Sequence, residues 1–166
     1  QLEAFNGAFK EFDLGWHWSR EEYEGLLIQA GGEIRIRDYD KTMSTGLSDK
    51  DITAVYRMKG KLFAKFLERS DLTPRKGLVS LLERCSDLGI FLGWVTTTSE
   101  DNVQAIRKAL EGQVNFGKFD IIFDSRNCSE SKPNPEIYLE AIKRHNLELA
   151  TTVAIEDSFS GVSSAK

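Results

Sequence analysis

The alternation of short apolar runs with helical stretches after residue 72 constrains this chain more than any other feature. Runs at 90–95, 121–123 and 153–155 are rich in β-formers and too short for helices, and helical patterns at 77–88, 101–110 and 135–145 lie around them. Strands separated by helices pair in parallel, so the expected fold class is α/β, with helices wrapped on a parallel sheet. Such strands are covered on both faces, which is the burial expected for residues 90–95. Ligands in open sheets of this kind bind at the carboxyl ends of the strands, where Thr96 follows the first run.

The first part of the chain carries a different pattern. Leu2, Phe5, Phe9 and Phe12 fall at helical spacing, and Ser19 with Glu22 has the form of a capping box for a helix running through Leu26, Leu27 and Ile28 to Gly31-Gly32. Residues 33–40 are strongly charged, with no element assigned. A further helical pattern starts at Ser48, with Asp51 three residues on, and continues through Ile52, Val55, Tyr56, Leu62, Phe63, Phe66 and Leu67. The turn sequence Leu72-Thr73-Pro74-Arg75-Lys76-Gly77 punctuates the change, so residues 1–71 are expected to form a helical subdomain and residues 72–166 the α/β part.

Composition narrows the partners. With 166 residues, 40% of them hydrophobic, the chain can bury one substantial core and a smaller second one. The net charge of -4 and the lack of any basic run argue against nucleic acid, and no stretch is apolar enough to span a membrane. Cys85 and Cys128 are far apart and in no metal-type spacing, which suits a reduced intracellular protein. His17 and His145, expected on the surface, offer no basis for a triad or a zinc site. A monomer is expected, cytoplasmic, or plastidic in a photosynthetic eukaryote.

Three polar clusters follow the apolar runs or open the helices. Thr96-Thr97-Thr98-Ser99 ends the first run, and Ser99 has the bland alternative of capping the helix at Glu100. Lys132 sits in Ser131-Lys132-Pro133-Asn134-Pro135, ahead of a helix that Pro135 can open; alternatively it is a solvated lysine in a turn. Glu156-Asp157-Ser158 closes the third run, either as a helix cap or as paired carboxylates suited to magnesium. Taken together they supply a hydroxyl, a fixed positive charge and a metal seat, which suit phosphoryl transfer. A nucleophile is missing from the set.

The ordered set Val95-Thr96-Thr97, Lys132-Pro133-Asn134-Pro135 and Ile155-Glu156-Asp157-Ser158 with Gly161 resembles motifs two, three and four of the haloacid dehalogenase (HAD) superfamily. The helical first part resembles the inserted cap of its β-phosphoglucomutase-like branch. Gly31-Gly32, Arg35, Tyr56-Arg57-Met58-Lys59, Thr96-Thr97-Thr98-Ser99 and Asn102 are most similar to the xylulose-1,5-bisphosphate phosphatases of that branch.

This resemblance implies a Rossmann-like, HAD-like core, here incomplete, with an all-α cap. It implies a magnesium-dependent phosphatase of phosphorylated sugars, expected to take a bisphosphate through an aspartyl-phosphate. Thr96 and Lys132 would then be catalytic, Asp157 would bind magnesium with Glu156 assisting, and Gly32, Arg35, Arg57, Lys59, Thr97, Ser99 and Asn102 would bind substrate. The family's first motif, an Asp-x-Asp-x-Thr stretch on the central strand, is expected ahead of Gln1 and is not read in the chain. The sequence is therefore expected to be an internal fragment, inactive alone. The alternatives are a sugar-phosphate mutase and a nucleophile-free binding or assembly module.

Overall fold

The computed structural model describes residues 1–27 and 31–166, so Ile28 of the expected second helix lies outside the described residues. The chain divides into two compact units, Gln1–Phe66 and Leu67–Lys166, and each has its own core.

The first unit is built on helices α1 (Leu2–Glu11), α2 (Arg20–Leu26), α3 (Gly32–Met43) and α4 (Asp49–Glu68). The apolar stripe of α1 buries Phe5 and Phe9 against Trp16, Trp18, Tyr23, Ile36, Ile52 and Val55. Phe9 and Trp18 meet edge to face with ring centroids 4.7 Å apart. Asn6 holds the loop that carries Trp18, donating to its carbonyl and accepting from its amide, both at 2.9 Å. The expected capping box is present at α2, where the Ser19 hydroxyl accepts from Glu22 N and the Glu22 carboxylate accepts from Ser19 N. Ser48 and Asp51 make the same reciprocal pair at the start of α4.

The charged residues 33–40 form most of helix α3, which the sequence does not announce because its apolar face is narrow: only Ile36 and Asp40 are buried in it. The Asp40 carboxylate accepts from Leu47 N at 3.2 Å, which ties the end of α3 to the turn before α4. Gly31, at φ 99°, opens the helix in a region that favours glycine. A Cβ on Gly32 would lie 2.3 Å from the Tyr56 ring, so the absent side chain lets α3 approach α4.

The second unit contains α5 (Leu78–Asp87), β1 (Gly93–Val95), α6 (Glu100–Ala109), β2 (Ile121–Phe123), α7 (Glu136–His145) and α8 (Phe159–Ala165). Strands β1 and β2 pair in parallel, with Gly93 opposite Ile121 and Val95 opposite Phe123. One core cluster joins Ile121 and Phe123 to Ile137 and Ala141 of α7, and another gathers Leu82, Leu110 and Val114.

Two strand expectations need correction. Only residues 93–95 of the run at 90–95 are strand, and Ile90 and Phe91 are exposed, so the run is not covered on both faces. Residues 153–155 pair with no strand among the described residues, and Val153 and Ile155 are 84% and 78% exposed. An apolar run becomes a strand only where a neighbour takes up its backbone groups, and composition does not disclose the neighbour. Among the described residues no helix is long and apolar enough to cross a membrane.

Candidate active site

Thr96 extends the β1 ladder by one bond, its amide donating to Phe123 O at 3.0 Å. The Thr96 hydroxyl then accepts from Thr98 N at 3.2 Å, and Thr98 O accepts from Ser125 N at 2.9 Å. These bonds turn the chain from β1 into α6. Ser99 takes the bland role, accepting from Asn102 N as the cap of α6. Asn102 is buried and donates to the Thr98 hydroxyl at 2.8 Å; its own side-chain oxygen has no hydrogen-bond partner among the described residues. Thr97 is half-buried in the same turn.

Lys132 is not a solvated lysine. It is 9% exposed, and its ammonium donates to Val95 O at 3.0 Å, to the Tyr138 hydroxyl at 3.0 Å and to the Glu156 carboxylate. The bond to Val95 places the ammonium on the last carbonyl of β1, one residue before Thr96. The loop carrying Lys132, with a cis Lys132–Pro133 bond, is fastened on both sides. Asn134 accepts from Glu136 N through its side chain and from the Ser164 hydroxyl through its carbonyl, and the Glu136 carboxylate accepts from Ser129 N and Glu130 N.

Glu156 also accepts from the Tyr138 hydroxyl. Burial first, then the Glu156 carboxylate, hold the Tyr138 phenol well above its ordinary range. A Cβ on Gly161 would come within 1.9 Å of a Glu156 oxygen, so glycine at that position is what lets the carboxylate reach Lys132. Asp157 turns elsewhere, to the Arg75 guanidinium at 2.8 Å, and both of those side chains are exposed. The two adjacent carboxylates thus have separate partners. No group of three or more His, Cys, Asp or Glu side chains among the described residues is arranged to hold a metal ion.

Asp124, at the carboxyl end of β2, was overlooked in the sequence. Its buried carboxylate accepts from Arg126 N at 2.9 Å and from the Arg126 guanidinium, whose bonds hold it below the usual carboxylate range. Arg126 continues to Glu100 at 2.5 Å, tying β2 to α6. An acid directly after the apolar run 121–123, with an arginine two residues on, is a signal the sequence did contain.

In the first unit Lys59 is 2% exposed, with its ammonium 5.1 Å from the Phe5 ring centroid, 5.0 Å from that of Phe63 and 3.1 Å from the Gln1 side-chain oxygen. Burial, then the charge of Arg35, lowers its amine to about 8. The Arg35 guanidinium lies 5.9 Å from the same Phe5 ring and 6.0 Å from that of Tyr23. Arg35 and Lys59 therefore share one aromatic floor, whereas Arg57 is exposed. Gly32 abuts Tyr56, between the helices that carry these cations.

The spacing Asp-x-Asp-x-Thr does occur in the chain, at Asp38-Tyr39-Asp40-Lys41-Thr42 and at Asp49-Lys50-Asp51-Ile52-Thr53. Both copies lie on helices, α3 and α4, and not on a strand. Their carboxylates are taken up locally: Asp38 by Lys41, Asp40 by Leu47 N, Asp49 by Arg37 and Asp51 by Ser48. Neither copy places a carboxylate at a strand end.

A family model for the haloacid dehalogenase-like hydrolases matches residues 2–166. Protein CbbY of Cupriavidus necator is 35% identical over 99% of this chain and 67% of its own length, and the Cereibacter sphaeroides CbbY is 32% identical over 98% and 71%. Among solved structures, a mutant CbbY from Rhodobacter sphaeroides in complex with xylulose-(1,5)bisphosphate superposes with a TM-score of 0.89 at 32% identity, covering 98% of this chain and 72% of that one. A β-phosphoglucomutase from Clostridium difficile shares the fold, with a TM-score of 0.74 at 21% identity.

Proposed function

The chain belongs to the haloacid dehalogenase-like hydrolases, and we propose that within that family it serves a phosphatase whose substrate is a phosphorylated sugar, a ketose bisphosphate in particular. The observation that carries this is Lys132, a nearly buried ammonium held on the last carbonyl of β1, beside the Thr96 turn. A fixed cation and a hydroxyl at a strand's carboxyl end are what a transferring phosphoryl group requires. The similarity to a CbbY crystallised with xylulose-(1,5)bisphosphate supports the sugar class.

In this proposal residues 72–166 act as the catalytic core and residues 1–71 as its helical cap. Thr96 donates to a phosphoryl oxygen and Lys132 neutralises its charge. Thr97 and Asn102 complete the pocket from the same turn, where the buried Asn102 oxygen has no hydrogen-bond partner among the described residues. Arg35 and Lys59 hold the remote phosphate on their shared aromatic floor, with Gly32 letting their helices meet; Arg57 contributes from the exposed face of α4. Magnesium suits a site with one or two carboxylates that leaves its other positions to water and phosphate, and the exposed Asp157 would take that part on giving up its ion pair with Arg75. When bound, the ion would offset phosphoryl charge. Glu156 serves it only at one remove, since its carboxylate is taken by Lys132 and Tyr138.

A phosphate-release assay with ketose mono- and bisphosphates and magnesium tests the proposal in two arms. The 166-residue chain alone is expected to be inert, because among the described residues the one carboxylate that directly follows a strand, Asp124, is taken up by Arg126. The same chain preceded by a strand bearing Asp-x-Asp-x-Thr is expected to release phosphate, with preference for the bisphosphate. An inert second arm would remove the assignment.

A further inference from the structure

A lysine ammonium has three hydrogens to donate and nothing with which to accept. At Lys132 all three are committed, to Val95 O, to the Tyr138 hydroxyl and to Glu156. A phosphoryl oxygen can engage Lys132 only by displacing one of these partners, and they are not equally replaceable. Val95 O is fixed in β1. Glu156 is the counter-charge of a pair whose side chains are only 11% and 14% exposed, so losing it would strand a buried charge. The Tyr138 hydroxyl is a neutral acceptor. Its own hydrogen goes to Glu156, so it remains bonded when the lysine turns away.

We propose that Tyr138 is the positioning residue of Lys132: its hydroxyl fixes the ammonium at the end of β1 and is the contact that an incoming phosphoryl oxygen takes over. The inference rests on the assignment of Lys132 to phosphate made above. The exchange swaps one hydrogen bond for a stronger, charge-assisted one, with no covalent change. Throughout it the Tyr138 ring stays near the ammonium, 4.5 Å from centroid to nitrogen, and limits how far Lys132 can swing. Tyr138 is itself held in place, on a helix whose neighbouring Ile137 is fully buried.

The test uses the whole 166-residue chain, labelled at tyrosine Cζ and lysine Nζ and titrated with inorganic phosphate by NMR. The Lys132 and Tyr138 resonances should shift together with one apparent Kd, and Lys132→Met should abolish the Tyr138 shift. Tyr138→Phe frees the third ammonium hydrogen, so it should tighten phosphate binding by roughly three- to tenfold. A Lys132 resonance that phosphate leaves unmoved in both wild type and Tyr138→Phe would sink the assignment of Lys132 itself, and the exchange with it. If Lys132 responds but Tyr138 does not, or if the Phe variant binds phosphate equally or more weakly, the exchange alone is overturned. Should Tyr138→Phe fail to fold, the coupled shift in the wild-type chain decides the matter without it.

Discussion

Lys59 and Lys132 are both lysines removed from water, and they are stabilised in opposite ways. Lys132 has a carboxylate, whereas the partners named for Lys59 are rings and a neutral amide, and its amine is lowered to about 8 from an ordinary 10.5. Between those two values the unfolded chain holds the proton and the folded chain does not. Keeping Lys59 charged therefore costs stability at pH 7, and the cost is relieved as pH rises from about 8 towards 10.5. Lys59→Met is expected to be more stable than wild type at pH 7, and urea midpoints at pH 7 and 9.5 should differ less in the variant. If Lys59 holds phosphate, the same variant should lose stabilisation by a bisphosphate. Gly161 gives a second test. Alanine normally improves a helix over glycine by up to about 1 kcal/mol, but here its Cβ would drive Glu156 from Lys132. Gly161→Ala should therefore destabilise by roughly 1–3 kcal/mol, and a double-mutant cycle should find it nearly neutral in a Glu156→Ala background. Lys132 and Glu156 could be singled out in the sequence because charged residues at loop positions beside apolar runs are conspicuous. Tyr138 could not, since a tyrosine on an amphipathic helix reads as core, and its hydroxyl matters only once folding brings position 132 to it.

At the level of elements, what could be read were the caps and the strong stripes. Ser19 with Glu22 and Ser48 with Asp51 are local patterns satisfied within one turn, so tertiary context had little power to change them. Helix α3 and the run at 153–155 went the other way, the first too charged to announce itself and the second apolar without a paired neighbour. The α3–α4 approach illustrates how a residue proposed for substrate can have a packing duty as well. Gly32→Ala puts a methyl group into the Tyr56 ring, and overpacking of that kind costs roughly 1–3 kcal/mol. Thermal denaturation of Gly32→Ala and of Gly32→Ala with Tyr56→Ala separates the duties. Measured against Tyr56→Ala alone, the Gly32 change should cost much less than it does against wild type, because the ring it meets is gone. Unchanged stability in Gly32→Ala itself would leave only the substrate role.

On the scale of the whole molecule, the alternation of strands and helices disclosed the α/β class, and the apolar periodicity of α1 and α4 disclosed a helical first unit. How many strands pair was not visible, because hydrogen-bonding neighbours are chosen by the folded chain rather than by the run itself. The segment 152–156 has a physical consequence for the protein in a tube. It runs with no strand partner among the described residues, and Val153, Ile155 and, just beyond, Phe159 expose more than three quarters of their surface. Bare peptide groups flanked by β-branched side chains are a template on which another polypeptide can crystallise its own backbone. Colloidal behaviour should therefore depend on this segment more than on the net charge of -4. Static light scattering is expected to show a second virial coefficient that is negative at moderate salt and turns towards positive in Val153→Lys, a gatekeeper charge of the kind that protects open edges. A coefficient indifferent to that substitution would mean that the segment is shielded in solution, and that what limits the concentration of this protein lies in some other patch.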